Sequence, residues 1–160
     1  MSAAAVRAGR TGDEDTILSL LRDLAIYERL EHRFRLTTGT VARDMLGAAP
    51  AVRCDLAFLD DAPAGVMTWY FTYSSFLGAR GIYLEDFYVR PELRRRGVGR
   101  ALLASLAHTA LKHGAVRIEW SVLTWNRPAI DFYESVAAQR VDDWYIYRLT
   151  GETLAQLAGA

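Results

Sequence analysis

The apolar positions change their spacing several times along the chain, and each change marks a new element. Ala3 to Ala8 is a short apolar run closed by Gly9, which predicts an opening strand. Ile17, Leu20, Leu21, Leu24 and Ala25 then recur at helical spacing and predict a helix from about Asp13 to Glu31. Ahead of it, Thr11-Gly12-Asp13-Glu14 has the spacing of a capping box, with acids in the first turn. Val41, Met45 and Leu46 predict a short second helix that ends by Pro50.

From there the period drops to two. Val52 to Leu59, Ala64 to Tyr73 and Ile82 to Val89 are β-rich runs that read as an antiparallel meander. Asp60-Asp61-Ala62-Pro63 is a turn signal between the first two, and Gly78 and Gly81 bracket a looser loop before the third. Gly97 to His113 is helical again, with Leu103, Leu106, Ala107, Ala110 and Leu111 on one face and Gly114 at its C′ position. Val116 to Leu123 predicts a strand. Asn126 then caps a helix with Pro128 in its first turn and Ile130, Tyr133 and Val136 on one side. Val141 to Leu149 predicts a last strand, and Leu154 and Leu157 an amphipathic tail. Strands and helices alternate in the second half but not in the first, which argues for a mixed α/β domain over a doubly wound parallel sheet.

Composition narrows the function classes. At 160 residues and 51% hydrophobic the chain can bury a sizeable core, so one domain is expected and disorder is excluded as the main state. Lys+Arg and Asp+Glu balance at 19 each, which disfavours a general nucleic-acid binder. No apolar run approaches the ~18 residues of a membrane span, and the N-terminus lacks the order of a signal peptide. A cytoplasmic location with no membrane or nucleic-acid partner is therefore expected. The single cysteine, Cys54, rules out an intramolecular disulfide and lies in an alternating apolar stretch, as a core residue does. His32, His108 and His113 lack metal-ligand spacing, so no metal is expected, and Ser74-Ser75 has no nucleophile elbow around it.

Three segments carry candidate chemistry. Arg94-Arg95-Arg96-Gly97-Val98-Gly99-Arg100 opens the long helix. Its glycines allow close backbone approach, and the unpartnered helix N–H groups with nearby arginines suit a pyrophosphate. A Walker A loop is excluded because Arg100 follows Gly99, and a dinucleotide fingerprint is incomplete at Leu102. Tyr83-Leu84-Glu85-Asp86-Phe87-Tyr88-Val89 puts two acids in an apolar strand, where successive residues point to opposite faces. Such acids are either functional or paired structurally with an arginine. Trp125-Asn126-Arg127-Pro128 starts a capped helix with Tyr133 two turns inside, where a tyrosine serves a ligand or the core.

A strand, Arg-x-x-Gly-x-Gly opening a long helix, a further strand and Asn-x-x-Ala-x-x-Phe-Tyr together resemble the GNAT superfamily of acetyl-CoA-dependent N-acetyltransferases. Leu24-Ala25-x-Tyr27-Glu28, Tyr70-Phe71-Thr72-Tyr73, Tyr83 to Val89, Trp125-Asn126 and Phe132-Tyr133 resemble its diamine (spermidine/spermine) and thialysine acetyltransferase branch. The resemblance runs from about Val6 to Leu157. It implies a GNAT-like α/β (α+β) fold over residues 1–160, with a mostly antiparallel central sheet flanked by helices, acting as a homodimer.

It implies a site as well. Arg94, Arg95, Arg96, Gly97, Val98, Gly99 and Arg100 would bind the pyrophosphate of acetyl-CoA, and the backbone of Phe87, Tyr88 and Val89 its pantetheine arm. Asn126 and Ala129 would line the coenzyme site. Tyr133 would be the general acid for the departing thiolate, and Glu85 a water-mediated base. Tyr27, Glu28, Asp86, Glu119, Trp120, Ser121, Asp142 and Trp144 would face a small cationic amine: a polyamine, a diamine or a lysine-like amino acid such as thialysine. The chain departs from the diamine enzymes at Ser74, where they carry an acid. It also has Ala137 in place of the usual glycine after the tyrosine helix, and either Asp142 or Asp143 stands for a family acid. The alternatives are a non-catalytic acetyl-CoA-binding module, or an acetyltransferase acting on a protein or aminoglycoside amine.

Overall fold

Four antiparallel strands follow one another across a sheet: β1 (Ala5–Ala8), β2 (Arg53–Leu59), β3 (Ala62–Ser74) and β4 (Ala79–Val89). A fifth, β5 (Ala115–Glu119), joins β4 in parallel, as expected after the crossover helix between them. The computed structural model describes residues 3–160 and divides into two units, Met1–Ser121 and Val122–Ala160. The meander is as the period-two runs predicted. Leu59 ends β2, and Asp60 and Asp61 turn the chain with both residues in the left-handed region (φ 51° and 62°). This is the two-residue loop whose twist suits a hairpin. Gly81 lies inside β4 rather than in the loop, and a Cβ there would come within 2.6 Å of the Thr72 hydroxyl across the ladder.

The two faces of the sheet are covered separately. On one face Ile17, Leu20, Leu21 and Leu24 of α1 (Glu14–Tyr27) and Val41 of α2 (Thr38–Asp44) pack on Cys54, Leu56, Val66 and Tyr88. On the other, Val98, Leu102, Leu106 and Ala110 of α3 (Val98–Lys112) pack on Ala57, Met67, Trp69, Ile82 and Leu84. Each fully buried Leu or Ile contributes about 1.5–3 kcal/mol, so these two layers hold the unit together.

Local chemistry sets where the helices begin and end. Asp13 does not cap α1 through its side chain. Its carboxylate instead accepts two bonds from the Arg7 guanidinium, at 2.6 and 2.9 Å, and one from the Arg10 N–H. A bidentate charged pair outcompetes a neutral N–H for the same oxygens. The reciprocal capping box is found at α2, between Thr37 and Thr40. α1 ends four residues before the predicted Glu31, because Arg29 turns left-handed (φ 62°) and the N–H of Leu30 reaches back to the Ala25 carbonyl at 2.8 Å. That Schellman closure leaves Tyr27 and Glu28 at the helix end.

The second unit holds α4 (Arg127–Ser135), capped by Asn126, and α5 (Gly151–Ala158). Residues 139–150 form no strand, contrary to the alternating pattern of Val141 to Leu149. A strand needs a ladder partner, and among the described residues this unit contains no other strand. β5 likewise stops at Glu119, opposite Tyr83, short of the predicted Leu123. α4 ends in a Schellman motif: Ala138 N–H bonds the Tyr133 carbonyl, Ala137 N–H bonds the Glu134 carbonyl, and Ala137 is left-handed at φ 62°. A side chain there costs about 1 kcal/mol relative to glycine. Ala137→Gly is expected to stabilise the protein by about that amount, seen as a higher midpoint in thermal denaturation.

Candidate active site

A β-strand presents alternate residues to one face, and β4 breaks this rule once. Its pairing with β3 runs Thr68 to Asp86 and then Trp69 to Leu84, so Glu85 is an extra residue, a β-bulge. Before the bulge Ile82 and Leu84 face α3, and after it Phe87 and Val89 do. Asp86 is thereby turned, with Tyr88, toward α1. This one inserted residue turns Asp86 to the α1 side and leaves Glu85 exposed.

Asp86 is partly buried and accepts a hydrogen bond from the Thr68 hydroxyl at 2.5 Å. Burial raises its carboxyl above the ordinary range, and the Thr68 bond works against that shift. Glu28, partly buried at the end of α1, is also raised, first by desolvation and then by the negative charge of Asp86. Among the described residues no ion pair joins either carboxylate to an arginine. Glu85 itself is exposed, and its charge helps raise the Tyr70 phenol, after desolvation. The Tyr70 and Tyr83 rings lie 5.5 Å apart, and the Tyr83 hydroxyl is 2.8 Å from that of Ser121.

The arginine-rich loop is sorted rather than convergent. Arg94 turns toward α1, with its guanidinium 4.8 Å from the Tyr27 ring centre and its Nε donating to the Val89 carbonyl at 3.0 Å. Arg96 lies 3.5 Å from Asp60 in the β2–β3 turn. Arg95 is left-handed (φ 62°) and Gly97 follows at φ 84° as the N-cap of α3. No side chain caps this helix, and a Cβ on Gly97 would meet only open space. The N–H groups at the α3 start are therefore available to an anion, with the helix dipole behind them. Val98 is buried, so only its backbone could serve such a ligand.

Other sequence candidates are placed more simply. Glu119 pairs with Arg117 at 2.9 Å, and Trp120 packs on the α3-side core. In the second unit Asn126 accepts the Ala129 N–H, Tyr133 is partly buried beside Phe132, Arg140 binds Asp142 at 2.6 Å, and Trp144 is exposed. Thr68 and Tyr70 were not among the sequence candidates. The signal for Thr68 was only a polar position inside an apolar strand, which threonine occupies routinely, and Tyr70 had in addition its place in the Tyr70-Phe71-Thr72-Tyr73 run.

Residues 15–137 match the model of the acetyltransferase (GNAT) family. The chain belongs to the GNAT acetyltransferase family. It is 35% identical over 170 residues to a thialysine N-epsilon-acetyltransferase of Bos taurus, covering 99% of each chain. An L-ornithine N5-acetyltransferase of Arabidopsis thaliana is 28% identical, with 93% of this chain and 85% of that one covered. Among solved structures, an integron cassette protein from the mobile metagenome of V. cholerae shares the fold at a TM-score of 0.83 and 20% identity, over 100% of both chains. The protein is thus a GNAT N-acetyltransferase with the mixed, mostly antiparallel sheet expected from the sequence, and it acts on an amine. GNAT acetyltransferases take their acetyl group from acetyl-CoA, and the uncapped α3 start with its open glycine fits a pyrophosphate.

The raised carboxyls of Glu28 and Asp86 are expected to contribute stability that is lost as pH rises. A carboxyl raised in the folded state stabilises fully below its unfolded pKa, and that contribution is lost as pH rises through the folded pKa. Asp86→Asn keeps an acceptor for Thr68 and removes the charge. It is expected to raise the melting temperature at pH 7.5, and by less at pH 4.5, in paired thermal melts.

Proposed function

We propose that the protein transfers acetyl from acetyl-CoA to a primary amine of a small cationic substrate, a polyamine, a diamine or a lysine-like amino acid. The observation that carries this reading is the Glu28–Asp86 pair: two partly buried carboxylates, the charge of Asp86 helping to raise Glu28, with no arginine paired to either among the described residues. Such a pair attracts a second positive charge on the substrate and is relieved by it. The names of the thialysine and ornithine acetyltransferase relatives support the same class, since both acceptors are amino acids with a side-chain amine.

Acetyl-CoA supplies the acetyl group as a thioester. In this reading the N–H groups at the start of α3, with Arg94, Arg95, Arg96, Gly97, Val98, Gly99 and Arg100, hold its pyrophosphate. The backbone of Phe87, Tyr88 and Val89 aligns the pantetheine arm, and Asn126 and Ala129 line the coenzyme. An alkylamine has a pKa near ~10.4, so it arrives charged and must lose a proton before attack. Glu85, exposed to solvent at the bulge, takes that proton through water, and Tyr133 returns one to the leaving thiolate. Tyr27, Glu28, Asp86, Glu119, Trp120 and Ser121, with Asp142 and Trp144, contact the amine. Residues 1–160 act as one catalytic domain. A homodimer and a cytoplasmic location go with the family resemblance, and sedimentation velocity checks the first.

A thiol-release assay with spermidine, spermine, putrescine, lysine, thialysine, an aminoglycoside and a peptide tests the substrate class. Preferential turnover of one small dication is expected, and preference for the peptide or the aminoglycoside would overturn the reading. Tyr133→Phe is expected to lower kcat by about 10²-fold or more while acetyl-CoA affinity stays within twofold, because only the acidic hydroxyl is lost. Gly97→Asp is expected to abolish acetyl-CoA binding in calorimetry, since it adds a like charge and a Cβ at φ 84°.

A further inference from the structure

Thr68 has no exposed surface at all, and with Asn126 it is one of the buried polar side chains among the described residues. It sits in the central strand β3, with Cys54 of β2 as its partner on one side and Asp86 of β4 on the other. Val66, Leu56 and Tyr88 cover the same face, so packing alone asks only for an apolar β-branched residue here. A buried hydroxyl is tolerated when it is bonded, and this one donates to Asp86 Oδ2 at 2.5 Å. The bulge at Glu85 is what brings the two side chains to one face.

We propose that Thr68 is a positioning residue, whose hydroxyl fixes the Asp86 carboxylate in the orientation and charge state that bind the substrate cation. This rests on the reading of Asp86 as a substrate contact. The titratable groups that feel the charge of Asp86 are Glu28 at the end of α1 and the Cys54 thiol of β2, and Glu85 precedes it on β4. Burial opposes ionisation of Asp86, and the buried Cys54 thiol stays neutral because burial raises it. The Thr68 bond is the interaction that favours the charged form against burial. Losing the hydroxyl therefore moves the Asp86 titration upward and weakens binding of a cation at a given pH.

The test compares wild type, Thr68→Val, Thr68→Ser, Asp86→Asn and the Thr68→Val/Asp86→Asn double variant. Two readouts are used. The first is the carboxyl-carbon NMR titration of Asp86, assigned by its loss in Asp86→Asn. The second is the pH dependence of spermidine and thialysine binding and turnover, with acetyl-CoA affinity as the measure of intact folding. Thr68→Val is expected to raise the Asp86 midpoint by about one pH unit, to raise KM about tenfold below that midpoint and to change kcat little. Thr68→Ser is expected to restore both readouts, and Thr68→Val to add nothing in the Asp86→Asn background. An unmoved Asp86 midpoint in Thr68→Val overturns the inference whatever the activity. A moved midpoint with Asp86→Asn leaving amine binding unchanged overturns Asp86 as the cation contact, and the role of Thr68 with it. If Asp86→Asn weakens amine binding and Thr68→Val does not, only the role of Thr68 falls.

Discussion

The alternation of a β-strand is a hard geometric rule, and the candidate site of this protein depends on its single interruption in β4. Without the extra residue at Glu85, Ile82, Leu84 and Asp86 would all face α3, and the carboxylate would be driven into an apolar layer with no partner. With it, Leu84 stays in that layer and Asp86 crosses to the α1 side, where Thr68 donates to it. The same shift lets Phe87 and Val89 continue the α3-side core while Tyr88 joins the other. One residue thus reconciles two cores with one polar site.

The end of α1 is the second half of that arrangement. Its Schellman closure at Arg29 delivers Tyr27 and Glu28 at the edge of the helix layer rather than into a further helical turn. Arg94, from the loop before α3, is stacked on Tyr27 at this end and bonded to the last carbonyl of β4. Two partly buried carboxylates, one raised by the charge of the other, are unfavourable for folding, and groups perturbed in this way cluster at functional sites. The apolar layers on both faces of the sheet offset it.

Charge in the rest of the molecule is mostly local. Arg7 with Asp13 fixes the start of α1 against β1, while exposed pairs such as Arg96–Asp60 contribute little to stability, of the order of 0–1 kcal/mol. The run of arginines before α3 reads in the sequence as a single basic cluster. In three dimensions Arg94 is committed to aromatic stacking and Arg96 lies at a turn, so the loop offers an anion mainly its backbone N–H groups and the helix dipole.

The sequence by itself determined the elements whose causes are local. The meander, both packed helices, the Asp-Asp turn and the Asn126 cap follow from period, turn chemistry and capping, which act over a few residues. The family motif at Arg94 to Arg100 and the acids at Glu85 and Asp86 were equally legible, because residue type and spacing carry them. Only the tertiary structure decided which face Asp86 takes, since a bulge is a property of two paired strands and leaves no mark in one. It also decided that Asp86 is bonded by Thr68 and raises Glu28, both far from it in the chain, that Asp13 serves Arg7 instead of a helix end, and that Val141 to Leu149 forms no strand in its own unit. Alternation states which residues share a face. It does not name the partner that the backbone must find.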